Sequence, residues 1–210
     1  YLFTLTDWKR SSNSARESVG SKKLDQLLVM ATASTLADSE LESLLRSAQS
    51  DTAAKKLYFG TSRDESRLSV EKNILRYLRS DCTIRIQASA SQYDIWRAAI
   101  TAITLEKVEL SAEALPVKIQ NYLKELGVKV VMESESVWLA GLSKKPRRVR
   151  VFGKLDSTEQ ALASVDIATY TSEPTESGII ELLPFFKEQA VSITAHRFGN
   201  PARHLSLLRL

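Results

Sequence analysis

Cys82-Thr83-Ile84-Arg85-Ile86-Gln87 alternates small or branched apolar residues with polar ones, which is the period of a β-strand. Just after it the period changes. Ile95, Ala98, Ala99 and Ala102 recur at helical spacing, and the exchange then repeats down the chain. Val108 and Leu110 read as a strand, Leu115, Ile119, Leu123 and Leu126 as a helix stopped by Gly127, and Val128 to Met132 as a strand. Val137 to Leu142 reads as a short helix, Val149 to Phe152 as a strand, Leu155 to Ala163 as a helix and Asp166 to Tyr170 as a strand. Strands that alternate with helices form βαβ units, whose parallel strands need crossover helices on the sheet faces. The expectation over 71–180 is an α/β, Rossmann-like, mostly parallel sheet with helices on both faces.

Outward from this block, two earlier runs have a leucine stripe: Leu24, Leu27, Leu28, Ala31 and Leu41, Leu44, Leu45, Ala48. Both follow the i, i+3, i+4, i+7 spacing of one helix face. Asp38 is the expected N-cap of the second and Gly60 its stop. Neither run sustains the heptads of a coiled coil, so they predict a short helical hairpin packed on another surface. Tyr1 to Gly20 turns from apolar into a Ser, Arg and Asn stretch, an arm or linker that completes a first unit, 1–70. Gly60 to Arg67 is polar and turn-like. Beyond the βα series, Glu181 to Phe186 is apolar around Pro184, and Ala190 to Phe198 alternates again. These open a third unit, 181–210, closed by a tail with exposed-looking leucines. Gly199-Asn200-Pro201 is expected to end any ladder there, because proline has no N–H to donate.

Composition narrows the chemistry. Lys and Arg number 29 against 25 Asp and Glu, for a net charge of +4. The longest apolar stretch, Leu27 to Ala31, is far short of the roughly 20 residues that span a bilayer. A lone Cys82 excludes an internal disulfide and any cysteine-based zinc cluster, and two histidines leave little for a metal site. Seven glycines in 210 residues is roughly half the usual 7%. None falls in either of the common glycine-rich phosphate cradles. Tyr1 to Thr6 lacks the basic start and apolar run of a signal peptide, and the first residue is not Met. The expectation is a piece of a longer protein in a reducing, cytoplasmic setting.

Three features could bear chemistry. Cys82 shares the Ile84 and Ile86 face, where a small apolar side chain suits a core better than a nucleophile. His196 shares a face with Ser192 and Thr194 beside Arg197, without a serine or cysteine nucleophile in any recognisable pattern, and reads as an interface or hydrogen-bonding residue. Lys144-Lys145-Pro146-Arg147-Arg148-Val149-Arg150 has five positive charges and no acid. It reads as a solvated loop, with a partner-docking patch and nucleic-acid binding as alternatives. The last is disfavoured because no stacking aromatic is interleaved.

The most specific stretch is Ile180-Glu181-Leu182-Leu183-Pro184-Phe185-Phe186-Lys187-Glu188-Gln189-Ala190-Val191-Ser192-Ile193-Thr194-Ala195-His196-Arg197-Phe198-Gly199. It resembles the C-terminal end of long pyrroline-5-carboxylate dehydrogenases of the aldehyde dehydrogenase superfamily, among them the bifunctional proline utilisation A enzymes. Leu68-Ser69-Val70-Glu71-Lys72-Asn73-Ile74-Leu75-Arg76-Tyr77 is similar to the family's Leu-x-Gly-Glu-Arg-Asn-x-Leu-Arg-Tyr, with Val70 for Gly and Lys72 for Arg. Tyr1-Leu2 resembles the pair of residues directly after the Gly-Gly-Pro turn that closes the catalytic core in that family.

The resemblance implies a C-terminal domain of an NAD-dependent enzyme that oxidises glutamate semialdehyde in proline breakdown, with FAD as well if the parent is fused to proline dehydrogenase. It implies a domain without chemistry of its own. Glu109-Leu110-Ser111-Ala112-Glu113 stands where the family has Leu-Lys-Pro-Ser-Glu, so the ribose-holding lysine is missing. Val151-Phe152-Gly153-Lys154 stands where it has Phe-Thr-Gly-Ser, and Thr158 replaces the next glycine. No catalytic, cofactor-binding or metal residue is expected in this chain. What the resemblance implies instead is docking onto the catalytic aldehyde dehydrogenase core and support of a homo-oligomer, through Gln189, Val191, Ile193, His196, Arg197 and Phe198. No nucleic acid or transmembrane partner is expected. An independent Rossmann-like module for a small ligand or nucleotide is the rival reading.

Overall fold

The computed structural model describes residues 19–64, 66–68, 71–144, 147–154 and 166–194, and 196–197 and 200–201 as backbone. Five strands, β3 (Thr83–Ile86), β4 (Glu109–Ala112), β5 (Lys129–Met132), β6 (Arg148–Phe152) and β7 (Ala168–Tyr170), pair in the order β5-β4-β3-β6-β7. Every pairing is parallel. The order reverses between β3 and β6, as in doubly wound sheets. α3 (Gln92–Leu105), α4 (Val117–Glu125) and α5 (Glu135–Ala140) make connections between them. Ile84, Ile86, Leu110 and Phe152 pack with Ala98, Ala99 and Ala102 of α3 on one face. Small residues let that helix lie close. Val149, Val151 and Ile167 pack with Trp138 of α5 on the other. Helices therefore cover both faces, as the periodicity requires.

The helical hairpin is α1 (Lys22–Thr32) and α2 (Asp38–Ala54), which rest on each other and on α3. Leu24, Leu27 and Ala31, and Leu44 and Ala48, are the buried stripes. The N-cap of α2 is Ala37, not Asp38, which sits in the first turn. Glu40, three residues past the cap, accepts the Ala37 N–H at 2.8 Å, which is the half of a capping box that needs no polar cap side chain. A π-turn, Lys55–Phe59, continues α2 to Gly60.

A second sheet was not legible in the chain's local pattern. β1 (Arg63–Asp64), inside the expected polar turn, and β2 (Glu71–Arg79) pair antiparallel, and β8 (Phe186–Thr194) pairs with β2 over nine residues, from Glu71↔Thr194 to Arg79↔Phe186. The order is β1-β2-β8. α6 (Gly178–Leu182) and a 3-10 turn (Leu183–Phe185) lead into β8. Past it, β9 (His196–Arg197) and β10 (Asn200–Pro201) form a small antiparallel hairpin with Pro201 opposite His196. The β2–β8 ladder ends at Thr194, and in this separate two-stranded sheet Pro201 is the last residue, an edge position that proline allows. The expected helix Leu155–Ala163 and the leucines of the tail lie outside the described residues. No described helix is long and apolar enough to cross a membrane.

The basic run is not simply a solvated loop. Arg147 is exposed and pairs with Asp166, but Arg148 is half-buried in β6 and Arg150 is 2% exposed. Strand alternation turns Arg148 and Arg150 to one side, toward the C-terminal segment, while Val149 and Val151 face the other.

Candidate functional site

The crevice where the strand order reverses is the place an open α/β sheet offers a ligand. It is bounded by the turn from β3 into α3 and the turn after β6. Gly153 (φ +91°) brings the second turn so near the first that an added Cβ would lie 2.9 Å from the Ala90 nitrogen. Ser89 Oγ accepts the Lys154 N–H at 2.9 Å and joins the two turns. A cleft of about 830 Å³ opens beside them, lined by Ser39, Ser43, Ser91, Tyr93, Lys154 and Thr171 among others.

Two of the chain's own acids accept backbone N–H groups at this crevice. Ser91 Oγ accepts the Asp94 N–H at 3.1 Å, and the Asp94 carboxylate accepts the Ser91 N–H at 2.9 Å. An anion approaching the start of α3 meets the negative charge of the Asp94 carboxylate there. At the end of β4, Glu113 accepts the backbone N–H groups of Ala88 (3.2 Å) and Glu135 and lies 3.5 Å from the buried Arg85 guanidinium. Leu110, at the place of the family's ribose-holding lysine, is wholly buried. Thr158 lies outside the described residues. Among the described residues no group of three or more His, Cys, Asp or Glu side chains could hold a metal.

The expected docking residues fall on β8 and just beyond it. Gln189, Val191 and Ile193 are half-buried on one face, and Gln189 Oε1 accepts from Arg76 Nε at 2.7 Å. His196 and Arg197 form β9, their side chains not described, and Phe198 lies outside the described residues. At the base of β8, Phe186 stacks on Phe59 with ring centroids 4.2 Å apart, and Tyr77 meets Phe59 edge-on. The Ser80 N–H donates to the Phe185 carbonyl, so this opposed pair is hydrogen-bonded and bonded pairs alternate from there. Lys187, Gln189, Val191 and Ile193 thus turn their backbone groups toward β2. Glu188, Ala190, Ser192 and Thr194 turn theirs outward, where no described strand pairs with them.

Two buried ion pairs were missed by sequence reasoning. Arg97 of α3 grips Asp51 of α2 through two bonds of 2.8 Å, and Arg150 of β6 holds Glu181 of α6 at 2.6 and 3.1 Å. Burial pushes the Asp51 carboxyl up to about 6 against the pull of Arg97. Burial acts on Glu181 likewise, but the facing Arg97 and Arg150 guanidiniums hold it below the ordinary carboxylate value. The signal in the sequence was a lone charge between apolar residues at Arg97, Arg150 and Glu181, as in Ile179-Ile180-Glu181-Leu182-Leu183, and Asp51 had none. Cys82 is a buried free thiol, pushed up to about 12 by burial. It is no nucleophile at neutral pH.

Strand order, two helical layers and the crevice together define a Rossmann-like α/β protein. No family model and no curated protein matches the chain. Among solved structures it is similar to Proline Utilization A (PutA) from Corynebacterium freiburgense, at 21% identity and a TM-score of 0.52 over 92% of this chain. It spans 16% of that chain. At this identity the likeness is one of fold: the chain has a PutA-like α/β fold.

Proposed function

We propose that the chain is a non-catalytic C-terminal domain of an NAD-dependent glutamate-semialdehyde dehydrogenase of proline catabolism, docked on the catalytic core of its own or a neighbouring subunit and supporting a homo-oligomer. The observation that carries this reading is β8, a nine-residue strand paired with β2 on one side and, among the described residues, with nothing on the other. Such an edge adds to a partner sheet through main-chain bonds. The likeness in fold to part of a PutA chain agrees with it. NAD, and FAD where a proline dehydrogenase is fused, belong to the parent. In this chain Asp94 and Glu113 put negative charge beside the crevice, which opposes the phosphates of a dinucleotide.

Deleting residues 188–210 from the parent enzyme lowers turnover or breaks the oligomer. Turnover and sedimentation identical to wild type overturn the reading. The cleft of about 830 Å³ favours the rival, an independent small-ligand module. Calorimetric titration of this chain with NAD separates the two: a sub-millimolar site supports the rival and its absence supports docking.

A further inference from the structure

We propose that a cavity where α1, α3 and α4 meet binds a small monocarboxylate with a short apolar chain, its carboxylate at the first turn of α4 and its chain against Trp96. The inference goes beyond the docking reading and does not rest on it, since every residue it uses belongs to this chain.

The anionic end is set by α4. The first N–H groups of a helix have no acceptor inside it and form the positive end of its dipole. At the starts of α2, α3 and α5 the chain supplies its own oxygen, from Glu40, from Ser91 with Asp94, and from Ser134. At α4 it supplies none. Pro116 is the N-cap, no side chain bonds the end, and the first turn has no acid. The Gln120 N–H returns to the Pro116 carbonyl, which leaves those of Val117, Lys118 and Ile119 without an acceptor in the helix. Lys118 puts a full positive charge beside them.

The apolar end is the cavity itself. It holds about 280 Å³ and is lined by Met30, Ile95, Trp96, Pro116, Val117 and Ile119, with Gln92 and Lys118 among its polar residues and no acid among the described ones. Trp96 is 7% exposed. Its indole N–H donates to no described residue, yet unlike that of Trp138 it is not sealed from solvent, and the cavity is the open space that the ring lines. A nearly buried donor without an acceptor is a cost that a ligand oxygen removes. Gln92 Oε1 accepts from Thr35 Oγ1 at 2.9 Å, which leaves its amide NH2 group as a further donor. Donors and one cation set among hydrocarbon walls select an anion with an apolar body. The volume lies just below the range of drug-sized pockets, so a short chain fits and a nucleotide does not.

Hexanoate is the probe. Nuclear magnetic resonance of the 210-residue chain, at fixed ionic strength, follows the backbone amides of Val117, Lys118 and Ile119 and the indole N–H of Trp96 as sodium hexanoate is added. These signals shift and saturate together, while the amides of Ile84 and Val191 stay still. Butyrate, two methylenes shorter, binds about fifteenfold more weakly. Hexylammonium, with the same chain and the opposite charge, binds at least about tenfold more weakly. Lys118→Gln, at an exposed position, weakens hexanoate about two- to fivefold. No saturable shift at the α4 amides and Trp96 overturns the proposal. So does equal binding of butyrate and hexanoate, which makes the helix end an anion contact only, or equal binding of hexylammonium, which makes the cavity an apolar contact only. The docking reading is tested by deletion in the parent enzyme, so the two fail separately.

Discussion

The parallel and antiparallel sheets hold their strands in opposite ways. In the parallel sheet Ile84, Ile86, Leu110 and Val149 are wholly buried, and Arg85 of β3 and Arg150 of β6 lie inside as well. Layers on both faces leave no alternative. In the antiparallel sheet Gln189, Val191 and Ile193 are only half-buried and Ser192 and Thr194 face water. The first sheet is stabilised by burial and the second by pairing, so substitutions that are costly in one should be mild in the other.

The hardest test of that contrast is at the buried ion pairs. Arg97→Met leaves the buried Asp51 carboxyl without its partner and should cost about 3–5 kcal/mol, seen as a lower urea midpoint. A loss under about 1 kcal/mol would mean that the pair contributes little against its desolvation. Next, Ile84→Ala should cost about 2–5 kcal/mol, and Ile193→Ala no more than about 1.5. Equal losses in denaturant titrations would erase the distinction between the sheets. A sharper cut compares neighbours on β8. Val191→Pro removes an amide bonded to β2 and should cost about 1–3 kcal/mol, whereas Ala190→Pro removes an outward amide and should leave stability nearly unchanged. Reversed effects would show that the bonding pattern along β8 is shifted by one residue.

A small effect is also expected at Cys82. Cys82→Ala should cost about 1 kcal/mol and leave the chain folded. The native thiol titrates near 12 where an unfolded one titrates near 9. Between those values the native state keeps a proton that the unfolded state has lost, so this contribution to stability is complete below pH 9 and fades as pH rises toward 12. Iodoacetamide at about pH 8, just below the thiol's ordinary range, should alkylate the native protein slowly and the urea-unfolded protein at once. Equal rates would overturn the buried assignment.

What could be read in advance followed the range of each signal. Alternation in Thr83–Ile86 and helical period in Gln92–Leu105 are local, and both elements stand where the pattern put them. β2 escaped because Glu71, Lys72, Asn73, Arg76 and Arg79 put polar groups on both faces of the strand, which blurs any alternation. Its pairing with β8, Arg76 opposite Gln189, spans a separation over which no periodicity carries information. The same holds for Arg150 and Glu181. A charge run that looks solvated by composition became partly structural because a strand's alternation sent every second residue inward. Val191 and Ile193 were found as one face of a strand from alternation, and Gln189 came from the resemblance, but that the backbone edge of the strand is open depends on the sheet order.

Trp138 has an optical consequence. Its indole is wholly buried in the parallel layer with the Arg85 guanidinium 5.0 Å from its ring centre, and Trp96 is 7% exposed on α3. The strands β1, β2 and β8 contain no tryptophan at all. The third indole of the chain, Trp8, lies outside the described residues and is removed by Trp8→Phe. In that background, emission excited at the red edge of the aromatic band, where tyrosine is dark, tracks the melting of one sheet and is blind to the other. Tyr77, against Phe59, is the chromophore native to the second sheet, and the difference in ultraviolet absorbance between the chain and its Tyr77→Phe variant isolates it. Two colours of light thus watch the two sheets separately, with no label attached.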